Sequence, residues 1–126
     1  MVYSQDALKK SVDSLLQLVP NEDYESKVDS YEAINKYVTR NAGSRIIELL
    51  EYAVNQDSSD VGRMIIYRRL GNYYSRKGDT DKALEIKHSG LVLAKKLNDE
   101  RAVLNYYLTL GNAYLCLLYT SPSPRD

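Results

Sequence analysis

Apolar residues recur every three or four positions along most of the chain, the spacing that places side chains on one face of an α-helix. The first run stops at Pro20, and few glycines interrupt the runs that follow. The pattern predicts six helices, over approximately residues 4–19, 22–39, 44–54, 61–77, 81–97 and 99–115.

Residues that favour helix ends separate these runs. Asn21 and Ser44 are predicted N-caps of the second and third helices. Gly78 suits the left-handed turn that ends the fourth helix, and Asp79 to Asp81 start the fifth. Because all the loops are short, consecutive helices should run antiparallel. The sequence therefore predicts an all-α fold of helical hairpins.

The fourth and sixth helices share a motif. YRRLGNYY at residues 67–74 recurs as YLTLGNAY at residues 107–114, with five identities at a period of 40 residues. A glycine inside a helix costs about 1 kcal/mol relative to alanine, which indicates close approach of a neighbouring helix. We expect Gly71 and Gly111 to face a surface of small residues, namely Ala83, Gly90 and Ala94.

The same register predicts which side chains form the core. Leu70 and Leu91 should be buried. The inward faces of the fourth and sixth helices are predicted from their apolar positions, which are Met64, Tyr67, Leu70 and Tyr74 in the fourth, and Val103, Leu104, Tyr107, Leu110 and Tyr114 in the sixth.

The repeated motif, followed by Gly78-Asp79 and Lys82-Ala83-Leu84, resembles the tetratricopeptide repeat. Its period exceeds that family's usual length of about 34 residues and is similar to the long-period subgroup of Pins- and rapsyn-like scaffolds and bacterial signalling proteins. The resemblance implies hairpins stacked as a right-handed solenoid. It divides the chain into an N-terminal helix (1–20), a degenerate hairpin (21–60), a repeat hairpin (61–98), the first helix of a truncated repeat (99–115) and a tail (116–126).

The tail reads CLLYTSPSPRD and resembles, at all eleven codons, the translation of a common transposon-based sequencing adapter. We therefore expect residues 116–126 to carry no functional meaning and the natural protein to continue beyond this point. Thr120 to Asp126 should make no stable contact with the helices.

Composition and charge argue against several function classes. Seventeen basic residues balance seventeen acidic ones, so no net field favours nucleic acid or an acidic membrane. A lone cysteine, Cys116, forms no internal disulfide or thiol zinc site. No run of about twenty apolar residues occurs. We expect a soluble fragment without membrane contact, whose compartment is cytoplasmic or, under the sensor resemblance below, periplasmic.

The residues offer no recognisable catalytic set. His88 is the only histidine and has a solvent-facing position on the fifth helix. No glycine-rich phosphate loop follows a strand. The acidic pairs at helix starts are best explained by capping and the helix dipole. We therefore expect no enzyme activity, no cofactor and no metal.

Polar residues on the first helices of the repeats form the candidate site. Arg68, Asn72 and Arg76 follow at intervals of four, and Asn105 and Asn112 lie on the sixth helix. The resemblance implies that this face lines the inner groove of the solenoid. Arginine and asparagine can hold a carboxylate or a peptide backbone. In the alternative interpretation, the asparagines bond neighbouring helices and the arginines are solvated.

These observations leave two function hypotheses. The first is a non-catalytic scaffold that binds a protein or peptide in the concave groove. The alternative is the sensory or input region of a larger bacterial signalling protein. SVDSLLQLVP at residues 11–20, followed by Lys27-Val28, resembles the start of the extracytoplasmic region of repeat-bearing sensor histidine kinases and related regulators.

Overall fold

A computed structural model describes the backbone of residues 2–57 and 59–120, and the side chains of residues 7–57 and 59–115. Across these residues the regular structure is entirely helical, which confirms the predicted all-α class. The helices are α1 (Val2–Gln17), α2 (Tyr24–Asn41), α3 (Ile46–Gln56), α4 (Asp60–Lys77), α5 (Thr80–Lys96) and α6 (Glu100–Thr120), with a short 3-10 helix over Gly43–Arg45.

Side-chain caps start four of these helices, of which α2, α4 and α5 come first along the chain. Asp23 accepts a hydrogen bond from the Ser26 amide, Ser59 from the Gly62 amide and Asp79 from the Lys82 amide. The predicted caps at Asn21 and Ser44 are wrong. Asp23 caps α2 instead, and Ser44 lies inside the 3-10 helix, so α3 begins at Ile46 without a side-chain cap.

The ends of α4 and α5 follow the prediction closely. Gly78 adopts φ +97°, the left-handed conformation that glycine enters at little cost, and its amide closes the last turn of α4. Asn98, two residues beyond the end of α5, has φ +56° and prevents the helix from continuing. Asp99 then accepts a hydrogen bond of 3.0 Å from the Ala102 amide at the start of α6.

Helices α2, α4 and α6 lie in a row, while α3 packs against α4 and α5 packs against both α4 and α6. Helix α1 covers α2 and α3. Helices α4 and α5 run antiparallel, because Gly71 near the end of α4 lies beside Ala83 near the start of α5. Helices α2 and α4 run parallel, since Tyr31 packs against Gly62 and, further along both helices, Asn35 bonds the Ile65 carbonyl.

The buried core extends along this arrangement. Leu70 and Leu91 are 2% and 7% exposed, which confirms both as core positions. One amide is also buried: Asn35 donates from Nδ2 to the carbonyl of Ile65, at 3.2 Å, and so joins α2 to α4. The largest fully buried side chains are those of Tyr106, Ile34, Leu49, Leu50, Met64, Ile66, Val12, Val38 and Asn35.

The predicted inward face of α6 is wrong at three positions. Leu104, Tyr107 and Tyr114 are about half exposed or more, at 59%, 50% and 49%. Helix α6 instead turns a neighbouring face inward, formed by Ala102, Tyr106, Leu110 and Ala113. Apolar residues alone predicted this face, but α6 packs only against α5 and α4 among the described helices, so part of its apolar surface stays exposed.

The expected pairing of glycines with small residues holds only in part, at Gly71, where Ala83 contributes a backbone atom but the nearest side chain is that of Lys87. A Cβ atom there would lie 2.8 Å from Lys87 Cγ and 3.6 Å from the Ala83 carbonyl oxygen. Gly90 faces the ring of Tyr106 rather than a second glycine, and nothing described lies within 4 Å of a Cβ placed on Gly111.

Within the described chain, none of the helices combines the length and apolar character needed to cross a membrane. Helix α6 continues into the adapter-like tail as far as Thr120. The predicted lack of packing by Thr120 to Asp126 concerns side chains outside the described residues.

Candidate functional site

Arg68 sits at the junction of three helices. On α4 it is half-buried, and its Nη2 atom lies 2.7 Å from Glu32 Oε2 on α2. Its charge also reaches Tyr106 on α6. Burial raises the pKa of the Tyr106 phenol, and the Arg68 guanidinium opposes part of that rise. Arg68 is therefore tied to a carboxylate of the chain itself.

The other two α4 residues of the predicted site continue along the helix toward its C-terminus. Asn72 is half-buried one turn beyond Arg68, and Arg76 is exposed another turn further. The Arg76 guanidinium carbon lies 5.1 Å from the centroid of the Tyr73 ring, a cation–π geometry. We call Arg68, Asn72, Asn105 and Asn112 the polar row. Arg76 is left out of it because it belongs to a separate groove described below.

On α6, Asn105 is half-buried and Asn112 is exposed. All four members of the polar row are therefore at least partly accessible, as predicted. Leu70 and Leu110 are buried, also as predicted. Tyr67 is half-buried, and Tyr107 contradicts the expected inward orientation because half of its surface is exposed.

An open groove of about 940 Å³ lies between α3 and the end of α4, with α1 at its edge. We call it the tyrosine groove, because three tyrosines line it. Its lining residues are Lys9, Gly43, Ser44, Ile46, Ile47, Glu48, Glu51, Tyr52, Asn55, Tyr73, Tyr74, Arg76 and Lys77.

Each cation in the tyrosine groove stands over an aromatic ring. Lys9 Nζ lies 5.2 Å from the centroid of Tyr52, and Lys77 Nζ lies 5.8 Å from that of Tyr74. Together with Arg76 on Tyr73, these pairs form a surface of phenol rings and positive charges. Such a surface can hold an acidic or aromatic peptide side chain through charge and ring contacts.

The two carboxylates in the groove are held by the protein. Glu51 accepts a hydrogen bond of 2.5 Å from Tyr74 Oη, and Glu48 forms an ion pair of 3.0 Å with Arg45. Burial, and then the hydrogen bond to Glu51, raise the pKa of Tyr74 to about 12. Tyr74 therefore remains a protonated donor at neutral pH, a role suited to fixing structure rather than to acid–base chemistry.

The residues considered for catalysis have structural partners. His88 is exposed, and its Nε2 atom lies 3.2 Å from the Tyr114 hydroxyl. Asp79 and Asp99 cap helices, as expected of acidic residues at helix starts, and Asp23 caps α2 in place of the predicted Asn21. Asp99 also accepts a hydrogen bond of 2.6 Å from Tyr24 Oη, which joins the start of α2 to the loop before α6.

Sequence reasoning found Arg76 but missed the groove around it. The local signal was the run of two tyrosines and two cations that ends α4, from Tyr73 to Lys77. Tyr52 and Lys9 come from α3 and α1, and no local pattern brings them to this position. The partner of Arg68, Glu32, lies 36 residues earlier in the chain and was likewise not foreseen.

Comparison of the chain with protein-family models, with curated proteins and with solved structures finds no match. The likeness to tetratricopeptide repeats therefore depends on the motif at residues 67–74 and 107–114 and on the residues that join its two copies.

Proposed function

We propose that this chain is a non-catalytic, peptide-binding helical-repeat scaffold of the tetratricopeptide kind. One observation carries the proposal. The motif that recurs after 40 residues falls on α4 and α6, two neighbouring helices that share the intervening helix α5. Both copies bury the leucine of the motif and leave its asparagine accessible. This division supports a core function for one side of each helix and a binding function for the other.

The polar row supplies hydrogen-bonding groups suited to an extended peptide. The three asparagines each offer a donor and an acceptor, which match a peptide backbone. Arg68 offers a charge-assisted hydrogen bond to a ligand carboxylate. This carboxylate either replaces Glu32 in the ion pair or binds Arg68 together with Glu32. A partly exposed ion pair of this kind contributes little to stability, so exchange for a ligand carboxylate requires little free energy.

The tyrosine groove provides a second contact area at the end of α4. Arg76 lies two turns beyond Arg68 on the same helix, so a peptide along α4 could reach both. The cations over Tyr52, Tyr73 and Tyr74 favour acidic and aromatic ligand residues. We therefore propose that preferred peptides carry an acidic residue at one end or at both.

A peptide selection tests this function directly. Random peptides displayed on phage are selected on the immobilised chain, and the enriched sequences are synthesised and titrated by fluorescence anisotropy. Arg68→Ala and Asn72→Ala should each weaken binding by about 1–3 kcal/mol, the loss expected for one interfacial hydrogen bond. The thermal unfolding midpoints of both variants should stay close to that of the parent.

Glu32→Ala is the matched control, because it breaks the same ion pair but keeps Arg68. Its affinity should equal or exceed that of the parent. Lys95→Ala and Lys96→Ala should change only the salt dependence. If no peptide is enriched, or if the lysine variants lose affinity while Arg68→Ala and Asn72→Ala retain it, the proposed function is wrong.

A further inference from the structure

The tyrosine groove holds three cations that no described carboxylate pairs with. Lys9, Arg76 and Lys77 all line it, and none of them forms an ion pair with a described residue. Each lies over a tyrosine ring. A ring attracts a cation through its quadrupole but does not neutralise the charge. The groove therefore presents three positive charges to a molecule that enters it.

The two carboxylates of the groove leave this positive charge in excess. Glu48 is paired with Arg45 at 3.0 Å, so these two charges cancel. Glu51 remains, and one of its oxygens accepts the hydrogen bond from Tyr74. Three cations facing one carboxylate give the groove a net charge of +2. A ligand group with two negative charges is its electrostatic complement.

The hydroxyl groups of the three groove tyrosines differ in their availability. Tyr52 and Tyr74 each donate to a carboxylate of the chain. Tyr73 forms no hydrogen bond with a described residue, so its hydroxyl can donate to a ligand. Arg76 lies over the same ring and offers several N–H groups in a fixed fork. Hydrogen-bond donors for an anion are therefore concentrated at the end of α4.

The groove also has an apolar wall that a bare anion would not use. Its volume of about 940 Å³ lies at the upper end of the range for small-molecule sites. Ile46 and Ile47 line it together with the three phenol rings. An aromatic ligand ring can stack against such a surface, whereas a phosphate ion alone would leave it uncovered.

From these features we infer that the tyrosine groove binds a phosphorylated tyrosine side chain of a partner peptide. Its phosphate carries a charge close to −2 at neutral pH and three acceptor oxygens for Lys9, Arg76 and Lys77. Its ring lies against the tyrosines and isoleucines of the wall. A carboxylate has one charge and two oxygens, and so uses less of the site. The inference rests on the part of the proposed function that makes the groove a peptide contact area.

Nuclear magnetic resonance titration of the ¹⁵N-labelled full chain tests the ligand class. The first probe is a glycine–phosphotyrosine–glycine tripeptide blocked at both ends. The second is the same tripeptide with unmodified tyrosine, and the third is inorganic phosphate. We expect the phosphorylated tripeptide to shift the amide signals of residues 43–48 and 73–78. It should bind at least about tenfold more tightly than either of the other probes, a difference of about 1.4 kcal/mol.

Lys9→Gln and Arg76→Gln should each weaken binding of the phosphorylated tripeptide by at least about fivefold, because each removes a charge-assisted hydrogen bond. Lys10→Gln is the matched control. Lys10 is the next residue on α1, is exposed and does not line the groove, so its loss should change the affinity by less than about twofold. All three variants should keep a thermal unfolding midpoint close to that of the parent.

Asn72→Ala separates this inference from peptide binding by the polar row. Asn72 does not line the groove, so the variant should bind the phosphorylated tripeptide as the parent does. Selected peptides that lose affinity in Asn72→Ala would support the polar row whether or not the tripeptide binds. The inference is overturned if the phosphorylated tripeptide fails to bind, or if inorganic phosphate or the unmodified tripeptide binds as tightly. Equal losses in Lys9→Gln and Lys10→Gln would also overturn it.

Discussion

Helices α4 and α6 carry the same motif in different surroundings. Helix α4 is packed by α2, α3 and α5, whereas α6 is packed by α5 and, less extensively, by α4. The second tyrosine of the motif shows the consequence: Tyr74 is 8% exposed and bonded to Glu51, whereas Tyr114 is 49% exposed. Identical residues in the same register therefore have different burial.

The difference shows that the motif determines which residues lie on a helix face, but not whether that face is buried. Gly71 and Gly111 are the same choice of residue, but only Gly71 has a neighbour that makes the absence of a side chain necessary. The burial of Leu70 and Leu110 is common to both helices, because each faces helices within the described chain. The motif leucine is therefore buried in both helices, whereas the motif glycine is packed only where a neighbouring helix lies against it.

The largest expected effect comes from truncating the two equivalent apolar residues. Met64→Ala should lower the free energy of unfolding by about 2–5 kcal/mol, because it removes a fully buried side chain and leaves a cavity. Leu104→Ala, at the exposed equivalent, should change it by less than about 0.5 kcal/mol. Urea denaturation followed by circular dichroism measures both. Equal losses would mean that α6 is covered as α4 is.

A second comparison replaces each of the two motif glycines with leucine. Gly71→Leu should destabilise the chain by about 1–3 kcal/mol, because its new side chain meets Lys87 and the backbone of α5. Gly111→Leu should be neutral or stabilising by up to about 1 kcal/mol, since leucine favours helix and meets nothing described there. Denaturation curves of the two variants give the sign of each change in the free energy of unfolding. Destabilisation by Gly111→Leu would contradict the conclusion that this face of α6 is open.

The buried tyrosines predict a loss of stability at alkaline pH. Burial and hydrogen bonds to carboxylates raise the pKa of Tyr74 and Tyr31 to about 12 in the folded chain. In the unfolded chain, the pKa of a tyrosine is about 10. The folded state therefore keeps protons that the unfolded state loses, and the free energy of unfolding falls as pH rises from about 10 to about 12.

Denaturation at a series of pH values should show this fall. Below about pH 10, the contribution of these tyrosines to the free energy of unfolding should be fully present. Tyr74→Phe should make the fall shallower, because phenylalanine has no proton to lose. A Tyr74→Phe chain with the same alkaline slope as the parent would show that the Tyr74 phenol is not the group responsible.

The smallest effects concern the asparagines that follow the two glycines. Asn72→Ala and Asn112→Ala should each change the free energy of unfolding by less than about 0.5 kcal/mol if both serve ligand binding. If Asn72 instead bonds a neighbouring helix, its loss should exceed about 1 kcal/mol while Asn112→Ala stays neutral. Denaturation of the two variants separates these interpretations.

Local residue chemistry was sufficient to predict several parts of the fold. The end of α4 followed from Gly78, because few residues other than glycine adopt its left-handed conformation at low cost. The buried state of Leu70 and Leu91 followed from helical periodicity. The cap of α2 was misplaced by two residues because Asn21 and Asp23 are both good caps, and the sequence alone does not choose between them.

What could not be predicted depends on contacts between distant segments. Two adjacent tyrosines on α6 both fit an apolar helix face, and the choice of Tyr106 for burial is decided by Gly90 on α5 and the Met64 carbonyl on α4. The ion pair of Arg68 with Glu32 and the convergence of Lys9, Tyr52 and Arg76 likewise require the packed helices. Of the five predicted site residues, four remain in the polar row and Arg76 belongs to the tyrosine groove.

The accessibility of the two equivalent helix faces tests the central claim most directly. Methyl groups of Met64 and Leu104 are labelled with ¹³C, and their relaxation is measured by nuclear magnetic resonance with a soluble paramagnetic agent. With Met64 buried and Leu104 more than half exposed, strong relaxation is expected at Leu104 and very little at Met64. Equal protection of both methyl groups would contradict the account, because it would mean that α6 has no open face.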